Sequence, residues 1–211
     1  MLQTLRQVAS RVLPPSLVVR RGPVGAKRVA LTFDDGPLPL TDAYLRCLDD
    51  LGVAATFFLM GDLVEVDPGI VREYVRRGHQ VAPHGYHHTM FSSMSSRELA
   101  GELRRCGEIF GTQAQARPWV RPPHGALNTR SLAVALASGW SIAMWSFDSY
   151  DYKLNSADDL VERCSPTAIT DGEIVLMHEG QQWTLDALPR IVEGLRGAGL
   201  ECVTMADLLA R

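Results

Sequence analysis

Short apolar runs alternate with longer amphipathic stretches along most of the chain, the pattern of strands joined by crossover helices. Residues 28–33 (RVALTF) read as a buried strand ending in the turn-prone Asp35-Gly36-Pro37. The pattern then predicts a helix over 41–51 closed by Gly52, a strand over 53–59 (VAATFFL), a helix over 68–77 with Gly78 just past its end, and a short strand at 80–82. At 95–110 a helix opens on Ser95, with Glu98 three residues on, a capping-box signature. Further strands are expected at 119–121, 140–145, 173–177 and 201–204, and further helices at 129–138, 157–164 and 184–197, before a short terminal helix. Repeated βα units imply parallel strands in an α/β fold. Periodicity does not decide whether the sheet closes into a barrel or lies open.

The placement of polar residues adds more. Asp34-Asp35, the runs 84–88 (HGYHH), 121–125 (RPPHG) and 148–152 (DSYDY), and His178-Glu179 each fall at the C-terminal end of an expected strand. Parallel α/β proteins build their sites at that edge. Five polar clusters on one rim point to a site, whereas core histidines would be scattered.

The residue types indicate chemistry. Neighbours leaving a strand point in opposite directions, so one carboxylate of Asp34-Asp35 can ligate a metal while the other faces water; the plainer reading is a turn. Three of the six histidines lie within 84–88, and His84 and His88 share one face if that run is helical. With Asp35 they form a two-histidine, one-carboxylate set, which leaves coordination positions open, unlike a closed structural zinc site. Arg121 can pair with a carboxylate such as Asp34, and Pro122 and Pro123 stiffen the backbone so that a following N–H can serve an oxyanion. One carboxylate of the 148–152 cluster can hydrogen-bond His178, raise its pKa and keep it protonated as a general acid.

Composition narrows the setting. A length of 211 residues suits one domain, and a net charge of −3 argues against a nucleic-acid binder. The charge is uneven: no acidic residue precedes Asp34, while Arg6, Arg11, Arg20, Arg21, Lys27 and Arg28 all do. Residues 1–27 therefore read as a basic extension, either an amphipathic helix on an anionic membrane surface or a helix packed on the domain. The segment lacks the apolar core of a secretory signal, and no apolar run is long enough to span a membrane. Cys47, Cys106, Cys164 and Cys202 form no C-x-x-C pair and are expected to be reduced. These features give an expectation of a cytoplasmic protein, with membrane-surface contact through the extension.

Taken in order, the five clusters resemble the motifs of the polysaccharide deacetylases, the NodB-like carbohydrate esterases of family 4. The run 32–37 (TFDDGP) is similar to the first motif, 84–88 to the second, 121–125 to the third, 148–152 to the fourth and 174–178 to the fifth. The resemblance implies a distorted (β/α) barrel of about seven parallel strands over 28–211. It implies Asp34 as general base; Asp35, His84 and His88 as ligands of a divalent metal, Zn²⁺ or else Co²⁺, Ni²⁺ or Mn²⁺; and Arg121 orienting Asp34. It also implies an oxyanion contact from the His124 N–H, His178 as general acid tuned by Asp148, and Leu176 and Tyr152 around an acetyl methyl. The implied activity removes N-acetyl groups from an amino-sugar glycan or glycan precursor and releases acetate. The alternatives are a formyl-sugar deformylase or other non-peptide amidase, and a non-catalytic carbohydrate-binding relic. Gly85, His124 and Tyr152 depart from the hydroxyl residue, the aromatic residue and the tryptophan usual at their positions.

Overall fold

In β2 (Arg28–Asp34) successive side chains face opposite ways. Val29, Leu31 and Phe33 pack outward beneath the helices, whereas Ala30, Thr32 and Asp34 face inward. The same alternation holds in β3 (Thr56–Leu59), with Phe57 and Leu59 out and Phe58 in, and in β8 (Ile174–His178), with Val175 and Met177 out and Ile174 in. Every strand of this kind is buried on both faces, as parallel strands under crossover helices must be.

The computed structural model describes residue 14 and residues 16–111 and 118–210. The N-terminal helix expected from Leu2, Leu5, Val8, Val12 and Leu13 lies outside the described residues. Among those described, the first strand is β1 (Val18–Val19), and α1 (Thr41–Leu51) and α2 (Gly61–Val66) flank β3. There follow α3 (Gly69–Arg76), β4 (Gln80–Pro83), α4 (Ser96–Phe110), β5 (Trp119–Val120), α5 (Thr129–Ala137), β6 (Ser141–Ala143) and β7 (Phe147–Asp148). After these come α6 (Ala157–Arg163), β8, α7 (Gln182–Gly197), β9 (Glu201–Val203) and α8 (Met205–Leu209).

All strand pairings are parallel. Six strands form one sheet, β4-β3-β2-β8-β7, with β9 also on β2, and three form a second, β1-β6-β5. Ala30 pairs with Ile174 on one side and Val203 on the other, so β9 takes the edge of β2 below β3. The Arg121 N–H donates to the Pro83 carbonyl (3.0 Å), which joins the two sheets as neighbouring walls of an incompletely closed barrel. The run 140–145, expected as one strand, contributes β6 to one sheet; the chain then crosses and β7 joins the other.

α8 enters the barrel floor. The Met205 N–H donates to Thr56 Oγ1 (2.8 Å) and the Ala206 N–H to Gln80 Oε1 (2.9 Å), so inward-facing strand side chains satisfy the first amides of this short helix. Its Met205 and Leu208 join Val19, Ala30, Phe58, Trp119 and Ala143 in the barrel core. Part of the basic segment is built into the fold as well. β1 pairs with β6, and Arg21 holds Thr170, Asp171 and Glu173. No helix among the described residues is long and apolar enough to cross a membrane.

Candidate active site

Register brings the first and last clusters together. Asp34 lies directly beside His178 across the β2–β8 ladder, and Asp148 beside Leu176 across β7–β8. At the same rim a cavity of about 370 Å³ is lined by nine of the ten expected site residues, Arg121 being the exception, together with Trp145 and Gln181.

Arg121 is fully buried beneath the cavity. Its Nη1 donates to Asp34 Oδ1 (2.7 Å) and Thr32 Oγ1 (2.8 Å), its Nη2 donates to the Met144 carbonyl (3.1 Å), and its guanidinium stacks 3.8 Å from the Phe58 ring centroid. A buried cation of this kind is tolerable only when paired and hydrogen-bonded. One oxygen of Asp34 is thereby held, and the other, Oδ2, turns to the cavity 3.6 Å from His84 Nε2.

Asp35 leaves the strand at φ 76°, a backbone conformation that non-glycine residues adopt rarely and mostly where function requires it. Its turn is braced from behind by the buried Glu179, whose carboxylate accepts from the Thr41 hydroxyl, the Leu38 N–H (3.3 Å) and the Tyr74 hydroxyl (2.8 Å). Asp35 Oδ1 is buried and accepts no well-aligned hydrogen bond, yet lies 3.2 Å from His88 Nε2 and 3.5 Å from His84 Nε2. Burial would raise the Asp35 pKa, but the close approach of His88 and the charges of His84, His178 and His88 bring it down to about 2.

The run 84–88 is not helical, contrary to the condition under which i and i+4 share a face. Gly85 at φ 81° turns the chain, and the His84 and His88 rings meet across a bend with centroids 5.3 Å apart. His84 Nδ1 lies 2.9 Å from the Arg121 carbonyl. A carbonyl only accepts, so Nδ1 carries the proton and Nε2 presents its lone pair inward. Burial lowers the His84 pKa, which favours that neutral ligand form. One ligand atom from each of Asp35, His84 and His88 falls within 4.8 Å of the others. Three convergent donors, a fixed histidine tautomer and a buried oxygen without a protein donor fit a divalent cation.

The opposite wall corrects one expectation. His178 is held by Asp151, not Asp148: Nδ1 lies 2.8 Å from Asp151 Oδ1, and the His178 N–H donates to Asp151 Oδ2 (2.7 Å). Asp151 is completely buried and also accepts from Thr184 Oγ1 (3.1 Å). Asp148 instead closes a local turn, its Oδ1 accepting from the Tyr150 N–H (3.0 Å), while Oδ2 faces the Tyr152 hydroxyl at 3.5 Å. The physical reason is that Tyr150, at φ 57°, reverses the chain, so the carboxylate three residues after the strand points back at the barrel. Burial would lower the His178 pKa, but the Asp151 hydrogen bond and charge, with the charges of Asp34 and Asp35, raise it to about 9. Its Nδ1 engaged, His178 offers an Nε2 proton to the cavity.

His124 sits at φ 56° in the tight turn Pro123–Gly125, its ring 4.5 Å from that of His88. Leu176 and Trp145 form apolar wall, and Tyr152 stands 5.2 Å from the His178 ring. Sequence reasoning missed Asp151, Glu179, Trp145 and Gln181 as contributors. Asp151 and Glu179 lay inside the clusters it marked, so the signal was present without the direction of the side chains.

The chain matches the polysaccharide deacetylase family over residues 21–143. It is 35% identical over 205 residues to a Listeria monocytogenes protein named peptidoglycan-N-acetylglucosamine deacetylase, covering 95% of this chain and 43% of that protein, so it spans less than half the length of that relative. A crystal structure of a peptidoglycan N-acetylglucosamine deacetylase with a bound hydroxamate-type benzamide superposes with a TM-score of 0.84 at 32% identity, over 92% of both chains. A Bacillus anthracis protein described as a family 4 carbohydrate esterase pseudoenzyme superposes with a TM-score of 0.81 at 27% identity, over 95% of this chain and 71% of its own.

Proposed function

Because the chain belongs to the polysaccharide deacetylase family, we propose that it hydrolyses the acetamide of N-acetyl amino sugars in a glycan, releasing acetate and a free amine, with a divalent cation at Asp35, His84 and His88. Fold alone does not carry this reading, since a pseudoenzyme has the same fold. What carries it is the complete set around one cavity: a carboxylate with one oxygen fixed and one facing in, three metal donors, and a histidine raised to about 9 on the opposite wall.

Two groups with opposed environments divide the proton transfers. Asp34, anchored through Oδ1 by Arg121, uses Oδ2 to take a proton from the water that attacks the acetyl carbon. His178, protonated and oriented by Asp151, gives its Nε2 proton to the departing amine, which leaves poorly as an anion. The N–H of His124 serves the oxyanion, and Leu176, Trp145 and Tyr152 enclose the acetyl methyl. Asp35, His84 and His88 would hold a divalent cation, which when bound would supply Lewis-acid activation of the carbonyl and of water; the histidine-rich donor set suits Zn²⁺ and would also accept Co²⁺, Ni²⁺ or Mn²⁺. Proton return from Asp34 to His178 through solvent resets the site.

The test is acetate release from N-acetylglucosamine oligomers before and after chelation, with metal restored. Activity lost on chelation and regained with metal is expected, together with losses of at least about a hundredfold in Asp34→Asn and His178→Ala. Undiminished turnover in both variants would sink the assignment. Formate release from N-formyl sugars without acetate release from N-acetyl sugars would replace it with a deformylase.

A further inference from the structure

Next to the cavity, the turn after β7 presents two tyrosines to solvent. Tyr150 and Tyr152 are 38% and 45% exposed, with ring centroids 6.1 Å apart, and Tyr152 also forms part of the cavity wall. Their backbone is well fixed. Asp148 Oδ1 accepts from the Tyr150 N–H, and the Lys153 and Leu154 N–H groups both donate to the Tyr150 carbonyl (2.8 and 3.1 Å). Exposed aromatic rings held rigidly at the mouth of a cavity are suited to stack on the apolar faces of sugar rings.

Two cations share this platform. Lys153 Nζ lies 4.6 Å from the Tyr150 centroid and 5.3 Å from that of Tyr152, and Arg163 Cζ lies 4.4 Å from Tyr150. The Arg163 hydrogen bonds go to the Asp148 carbonyl (3.2 and 2.7 Å), not to a carboxylate. Among the described residues, neither Lys153 nor Arg163 has a carboxylate partner. Several other cations of the protein do: Arg190 pairs with Asp158, Arg104 with Glu108 and Arg77 with Glu73 and Asp49. The facing anion, Asp148, is already engaged by the Tyr150 N–H and lies toward the Tyr152 hydroxyl. The platform thus carries two cations outside any ion pair, with the Asp148 carboxylate turned to the Tyr150 N–H and the Tyr152 hydroxyl, and an anionic sugar substituent would pair with them.

The geometry points to an anion-accepting glycan subsite, in which the sugar next to the reacting one packs against Tyr152, whose ring meets that of Tyr150 edge to face at 70°, and its carboxylate or phosphate pairs with Lys153 and Arg163. This rests on the deacetylase reading and specifies its substrate class as an acidic amino-sugar glycan.

Metal-loaded protein is assayed on matched oligomers that are neutral, carboxylate-bearing or phosphate-bearing on the neighbouring sugar. The readouts are kcat/KM and, by calorimetry, Kd. An acidic oligomer is preferred by about fivefold or more, on the scale of partly exposed ion pairs, and the preference shrinks between about 0.01 M and about 1 M salt. Which of the two acidic oligomers is preferred identifies the source of the anion. Lys153→Arg keeps the ratio, Lys153→Met reduces it and Lys153→Glu inverts it. An unchanged acidic-to-neutral ratio in Lys153→Met and Lys153→Glu, or a ratio indifferent to salt, overturns the subsite. If no oligomer is turned over, the deacetylase reading fails, and the Kd ratios still decide the subsite separately.

Discussion

Asp151 and Asp148 stand three residues apart, and the structure gives them different work. Only Asp151 touches His178, so Asp151→Asn removes the charge that raises the His178 pKa to about 9. The alkaline limb of its kcat/KM profile is expected to move to lower pH by roughly one unit or more, with reduced kcat. Asp148→Asn keeps that limb in place; a shift in Asp148→Asn with none in Asp151→Asn refutes the pairing. The same pKa bears on stability. A folded-state pKa above the usual 6.5 means that this contribution is fully present below about 6.5 and is lost as pH rises toward about 9. The unfolding free energy of the metal-free chain, from urea titrations, should therefore decline across that window, and less steeply in Asp151→Asn. Asp34, Asp35, His84, His88 and His178 were legible in sequence because each stands in or just after a polar cluster closing an apolar run. The partner of His178 was not, since it depends on a positive φ at Tyr150, which no spacing rule encodes.

Local signals were the more dependable ones for whole elements. The helix Thr41–Leu51 ends where Gly52 takes a left-handed conformation, and Ser95 and Glu98 form the expected reciprocal cap, with the Ser95 N–H donating to Glu98 Oε2 (2.8 Å) and the Glu98 N–H to Ser95 Oγ (3.3 Å). Ser95→Ala is expected to cost about 1 kcal/mol of unfolding free energy, within the usual range of about 0.5–2 for such caps, and to leave kcat unchanged. Chemical denaturation with an unaltered midpoint would show that the cap does not stabilise the fold. Where tertiary structure decides, sequence was a weaker guide. The apolar run 140–145 gives no sign that the chain leaves one sheet at Ala143 and joins the other at Phe147. The helix Gly61–Val66 has too few apolar positions to show a period, and it begins at a glycine where a Cβ would press on the Tyr86 ring 2.8 Å away. The bend at 84–88 defeats helical spacing, although the two rings still meet because the carbonyl of Arg121 fixes one of them.

For the molecule as a whole, the parallel α/β architecture follows from the alternation of apolar runs and amphipathic stretches, but its incomplete closure rests on single contacts such as the one between Arg121 and Pro83. Those contacts converge on the cavity. Arg121 ties β5 to β4 through its N–H, to Asp34 through its side chain and to His84 through its carbonyl, so the barrel wall and the site share one residue. A ligand that bridges Asp35 on the β2 turn and two histidines beyond β4 therefore links elements on either side of β3. If the native state binds a divalent cation and the unfolded chain does not, saturation to about a hundred times Kd adds about 2.7 kcal/mol. For a domain of this size that corresponds to a rise of about 5–10 °C in Tm. Calorimetric scans of chelated protein with and without Zn²⁺ should show this shift, and His84→Ala and His88→Ala should abolish most of it. A Tm that ignores the metal in the native chain, or rises equally in both variants, means that Asp35, His84 and His88 do not hold it. This outcome is read without turnover, so it judges the site independently of the substrate.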